Sequence, residues 1–130
     1  MTSSCWGQRL LGDPAQLVTQ AFCSACPVSY GRSPGELWQP TAALVLEAAY
    51  EATLLVAAHQ ARRHGGAYGS RSVYLTMLGG GAFGNRPEWI CGALLKALRR
   101  CRDLPLHVRV VEYGSPSGEV LQLLRDWKQA

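Results

Sequence analysis

Only two stretches of this 130-residue chain read as strands, and a helix-forming stretch lies between them. Val73 to Leu78 (VYLTML) and His107 to Tyr113 (HVRVVEY) are short runs of β-branched, aromatic and apolar residues, the signature of buried strands. Residues 86–102 carry Trp89, Leu94, Leu95 and Leu98 on one side of a helix. Strands joined by a crossover helix pair in parallel, and the crossover is right-handed. This unit fixes the expected class: α/β, a small, mainly parallel sheet with flanking helices.

The rest of the chain supplies the cover. Pro40 opens the longest element, a helix from Thr41 to about His64 (TAALVLEAAYEATLLVAAHQARRH). Its apolar residues, among them Val45, Ala49, Ala52 and Val56, cover most of its circumference, so it is expected to pack on more than one side. Gly65 and Gly66 stop it. Asp13-Pro14 reads as an N-cap and first helical position, predicting a helix over 14–25 that buries Leu17, Ala21, Ser24 and Ala25. Residues 27–38 read as a loop. Ser115-Pro116 begins a closing helix with Val120, Leu124 and Trp127 on one face.

The organisation is one domain over 1–130. Residues 1–39 form a lead with one helix. Residues 40–130 run helix, strand, glycine loop, helix, strand, helix. A chain this long buries roughly two thirds of its unfolded surface and needs neither disulfide nor metal. Five cysteines, an odd count, stand without a signal-peptide layout, and no apolar run reaches the ~20 residues of a membrane span. The expectation is an intracellular protein, cytoplasmic or nuclear, with no membrane partner. Net charge is +4, and no basic stripe interleaved with aromatics is visible, so nucleic acid is not an expected partner.

Between the first strand and the next helix lies Leu78-Gly79-Gly80-Gly81-Ala82-Phe83-Gly84-Asn85. Gly79-x-Gly81-x-x-Gly84 matches a dinucleotide-binding turn, and it follows a strand as that motif requires. In that motif the helix starts within the glycines. Here Pro87 argues for a later start, with Asn85 as N-cap and Glu88 three residues on. A P-loop would need Lys-Ser/Thr where Asn85-Arg86 stand. The third reading is a looser anion cradle. Glycines turn successive backbone N–H groups toward one point, a ligand can approach without a Cβ in the way, and the helix N-terminus adds partial positive charge. Phe83 would lie over a sugar or shield phosphates.

LGGGAFGN after a strand resembles the phosphate-binding loop of macrodomains. The neighbours agree: EAAYEATLLVAA precedes the strand as a macrodomain helix does, and ICGALLKAL and VRVVEY follow as helix and parallel strand. The resemblance covers residues 40–114 and looks closest to a branch with GGG-x-FGN loops, some of whose members remove ADP-ribose from proteins. It implies part of a three-layer architecture, with Leu78 to Asn85 on the diphosphate of ADP-ribose or an ADP-ribosylated protein. Tyr113, at a strand's C-terminal end, would edge the same crevice. The earlier macrodomain half, with its Asn-rich ribose loop, has no counterpart upstream of Gly79. The implied chain is thus a truncated, C-terminal half. No catalytic residue, metal or cofactor is assigned, and ADP-ribosylhydrolase activity stays an alternative beside a ligand-free interaction module.

Other groupings have plainer readings. Cys23-x-x-Cys26 has metal and redox spacing but lacks a second pair. Glu47 and Glu51 form one polar stripe of a helix, with Arg62 or Arg63 as neighbours, and His59 and His64 mark its polar end. The arginines at 62–63 and 99–102 suit the last turns of helices.

Overall fold

A computed structural model describes residues 4–5, 8–9 and 17–129. Ser4–Cys5 (β1) and Gln8–Arg9 (β2) pair antiparallel. Two single 3-10 turns, Val28–Tyr30 and Gly35–Trp38, lead into α1, Gln39–Arg63. Then come β3 (Ser72–Thr76), α2 (Pro87–Arg100), β4 (His107–Val111) and α3 (Gly118–Lys128). β3 and β4 pair in parallel, from Ser72 opposite His107 to Thr76 opposite Val111. The protein is α/β, and the βαβ unit stands where the sequence puts it.

α1 and α2 run side by side in the same direction. Glu47 accepts from Lys96 Nζ at 2.6 Å, and Glu51 from Arg100 at 2.7 Å, so four residues along one helix match four along the other. This corrects the expected partners of the two glutamates, Arg62 and Arg63. The stripe Ala42, Leu46, Tyr50 and Leu54 meets Ile90, Leu94 and Ala97 of α2 in one core. Leu46, Leu54, Ile90 and Leu94 are fully buried. Val73 and Leu75 enter that core from the sheet; Tyr74 and Val111 on the other face stay exposed. Among the described residues, then, helices cover one face of the sheet.

Several expectations need correction. Residues 17–27 are irregular, not helical, with Leu17, Ala21 and Phe22 exposed. Residues 14–16 of that expected helix lie outside the described residues. A helix of about a dozen residues is marginal without a packed face, and here the chain is held at its end instead. Ala25 packs against Gly79, and the Cys26 carbonyl accepts from Asn85. α1 buries one stripe and leaves Leu44, Ala52, Leu55 and Val56 exposed, so it packs on fewer sides than its composition predicts. In α3 the buried pair is Val120 and Leu123, with Leu124 and Trp127 only partly covered. Its N-cap is Ser117, whose Oγ accepts from Val120 N at 3.4 Å. Finally, Gly35–Arg63 is long and apolar enough to cross a membrane by length and composition, with a mean hydropathy of 1.5 over its best window. The sequence expected no such run. Here Glu47 and Glu51 pair with α2, and the stripe Ala42, Leu46, Tyr50 and Leu54 joins the core.

Candidate functional site

β3 stops two residues short of its predicted end, where Leu78 N turns back to donate to Thr76 O at 2.9 Å and Tyr50 bridges the same two groups. Its buried hydroxyl donates to Thr76 O at 2.8 Å and accepts from Leu78 N at 3.1 Å. These are backbone groups that a further strand would otherwise engage. The chain leaves the sheet there and enters the glycine loop with its first residue fixed from α1. Burial pushes the Tyr50 hydroxyl up to about 12, against the lowering effect of the Leu78 N–H. The phenol therefore stays protonated and keeps donating.

The far end of the loop is fixed by Asn85. The sequence predicts this residue as N-cap of α2; the cap position is Arg86, and no side chain bonds there. Asn85 is turned inward instead, 2 % exposed. Its Nδ2 donates to Cys26 O at 2.8 Å and Gly79 O at 3.1 Å, while its backbone N–H donates to Gly79 O at 3.0 Å. Its Oδ1 is buried without a partner among the described residues. The side chain thus ties both loop ends to the segment before α1. Pro87 does lie in the first turn of α2, as expected.

The glycines divide into two kinds. Gly79 (φ 75°) and Gly84 (φ 71°) sit in the left-handed region and have close neighbours. A Cβ on Gly79 would meet Ala25 Cβ, and would lie 2.7 Å from Asn85 Nδ2; one on Gly84 would collide with Ser29 Oγ. Both are explained by residues 25–29 lying against the loop, where Ser29 N also donates to Phe83 O at 3.0 Å. Gly80 and Gly81 are exposed, and a Cβ on Gly81 would meet nothing within 4 Å. Gly80 N donates to Met77 O, and Gly84 N to Gly81 O, closing two turns. The N–H groups of Gly81, Ala82 and Phe83 have no protein acceptor among the described residues. Phe83 is half-buried, its ring edge-on to Tyr30 at 6.0 Å.

Tyr113 lies two residues beyond the end of β4, fully exposed. The hollows of the described surface include two. One of about 390 Å³, lined by Glu47, Arg86, Trp89 and Lys96 among others, lies between α1 and α2. A smaller one touches Cys23, Tyr50, Thr76 and Leu78 at the loop entrance. Cys23 is exposed, with Sγ 3.7 Å from Thr53 Oγ1. Burial, then Glu119, pushes the Cys91 thiol up and away from thiolate chemistry. Among the described residues no group of three metal-ligating side chains converges.

Sequence reasoning missed the two side chains that set the loop's shape, Tyr50 and the inward Asn85. Tyr50 stands in the stripe Ala42-Leu46-Tyr50-Leu54, the one polar tip in a run of apolar residues four apart; that spacing is the signal that could have found it. No family model, curated protein or solved structure matches the chain. The macrodomain resemblance therefore rests on the loop and its flanking elements.

Proposed function

We propose that the chain binds a diphosphate joined to ribose, of the ADP-ribose type, through the turn Gly81-Ala82-Phe83. The observation that carries this reading is the set of three consecutive N–H groups without acceptors among the described residues, in a glycine turn between the C-terminal end of β3 and the N-terminus of α2. Ligands of open α/β sheets bind beyond the carboxyl ends of their strands, and anions favour helix N-termini. Gly81 leaves room for a phosphate to approach the backbone. The remaining residues of the loop, Leu78, Gly79, Gly80, Gly84 and Asn85, serve by holding that turn in shape. A partial macrodomain architecture belongs to the same proposal. The dinucleotide-turn alternative is not carried forward, because α2 begins at Pro87, beyond the last glycine.

A titration of the folded chain with ADP-ribose, ADP and NAD tests this. A ligand that binds only the native state raises the melting temperature as its concentration rises. ADP-ribose should do so for the wild type and not for Gly81→Val, with equal helix content in both. No heat and no thermal shift from a folded wild-type chain would remove the proposal. One observation favours a second reading, a ligand-free interaction module: Gly79 and Gly84 are accounted for by packing against Ala25 and Ser29. Hydrolase activity would show as release of ADP-ribose from a modified protein.

A further inference from the structure

The end of the sheet opposite the glycine loop gathers most of the chain's basic residues. α1 ends at Arg63 and feeds β3 through residues 64–71; α2 ends at Arg100 and feeds β4 through residues 101–106. Because β3 and β4 are parallel and start opposite each other, both helix ends and both connections meet at one end. His107 N donates to Arg71 O at 2.8 Å and joins the two connections directly. Seven of the thirteen basic residues fall between Arg62 and Arg71 or between Arg99 and Arg109. The acids belonging to this end are Glu51 and Asp103. The surplus here is five positive charges, while the rest of the chain is one short of neutral, so the whole +4 resides at this end.

Glu51 is occupied by Arg100. Arg62, Arg63, Arg71, Arg99, Arg102 and Arg109 are exposed, and none forms an ion pair among the described residues. Last-turn arginines suit the helix dipole. That accounts for Arg62, Arg63 and Arg99, but not for Arg71, Arg102 or Arg109, which lie outside helices. Two exposed tyrosines lie on the connection that carries Arg71 and on the strand that follows it. Tyr68, in the connection before β3, is fully exposed. Tyr74, in mid-strand on the face that the described helices leave open, is 64 % exposed; it borders the hollow beside Cys23, and the Arg109 guanidinium lies over its ring at 5.6 Å.

The geometry points to this end as a binding surface for single-stranded nucleic acid, the guanidinium groups taking phosphates and Tyr68 and Tyr74 stacking on bases. Unpaired arginines beside exposed aromatic faces are the pairing that single strands use. An unpaired base is needed to stack on a tyrosine ring, which excludes an intact duplex. Self-repulsion among six unpaired guanidinium groups is relieved when a polyanion binds.

The test is fluorescence anisotropy of the full chain with labelled oligothymidylate and oligouridylate of about 16 nucleotides. If about five phosphates are engaged, affinity should fall roughly 100-fold between about 50 and about 200 mM salt. Arg62→Ala, Arg63→Ala, Arg102→Ala and Arg109→Ala combined should weaken binding and flatten that salt dependence. Tyr68→Ala with Tyr74→Ala should weaken binding about fivefold or more while leaving the salt slope unchanged. All six positions are exposed, and circular dichroism checks that the variants fold. An absent anisotropy change at low salt would overturn the assignment. So would tyrosine variants that bind like wild type, or binding to phosphatidylserine vesicles without binding to the oligonucleotides.

Discussion

The two ends of one small sheet are built on opposite principles. Beyond the C-terminal ends of β3 and β4, the chain is held by its own buried groups: the Tyr50 hydroxyl, the Asn85 amide, and the close approach of Ala25 and Ser29 to two left-handed glycines. At the N-terminal ends, long charged side chains project from helix ends and connections, and among the described residues only Arg100 of these arginines forms an ion pair. The first end is specified by main chain, the second by side chains. A substitution at a pinned position of the glycine end, such as Gly84 or Tyr50, should therefore act through stability, and one at the arginine end through charge, with the fold indifferent.

The sharpest way to break this contrast is Gly84→Val. It forces a branched residue into the left-handed region and against Ser29, which should cost about 3 kcal/mol or more in denaturant unfolding. A loss below 1 kcal/mol, roughly the scale of an exposed site, would show that the loop is not pinned. Next in size is Tyr50→Phe. It removes the hydroxyl from two hydrogen bonds, leaving Thr76 O and Leu78 N their 2.9 Å bond to each other, and should cost about 1 kcal/mol.

The same residue gives a pH signature. Its folded pKa, about 12, lies above the ordinary value of 10.0. The native state therefore holds the proton more tightly, and that stability is whole below pH 10 and lost as pH rises toward 12. Tyr50→Phe should flatten the decline between those limits, measured by unfolding at several pH values; an equal slope in both chains would count against the buried phenol. Gly81→Val should change stability by less than about 0.5 kcal/mol, because its Cβ enters open space, yet abolish the thermal response to ADP-ribose. The smallest effect on folding should come from Arg62→Ala and Arg63→Ala, with unfolding curves that overlay the wild type. A clear shift in midpoint would mean that the arginine end is structural after all.

Much of the fold was legible because its signals are local. Pro40, the alanine- and leucine-rich run and Gly65-Gly66 bound α1 within a residue or two of its observed ends. The period-two burial of Val73 and Leu75 matches the strand pattern, and the intervening helix dictates parallel pairing. The candidate loop was legible as a glycine run between strand and helix. What each glycine is for was not, since Gly79 and Gly84 answer to residues more than fifty positions earlier. The expected helix over 14–25 failed for the same reason. Its cap signal is local, but Ala25 and Cys26 are claimed by Gly79 and Asn85 across the fold.

The sequence by itself determined the order of elements from α1 onward and the parallel crossover, because periodicity, proline and glycine act over a turn or two of chain. Only the tertiary structure decided that Asn85 points inward, that α1 buries a single stripe, and that arginine groups some forty residues apart share one surface. Long-range packing brings together what spacing along the chain cannot express.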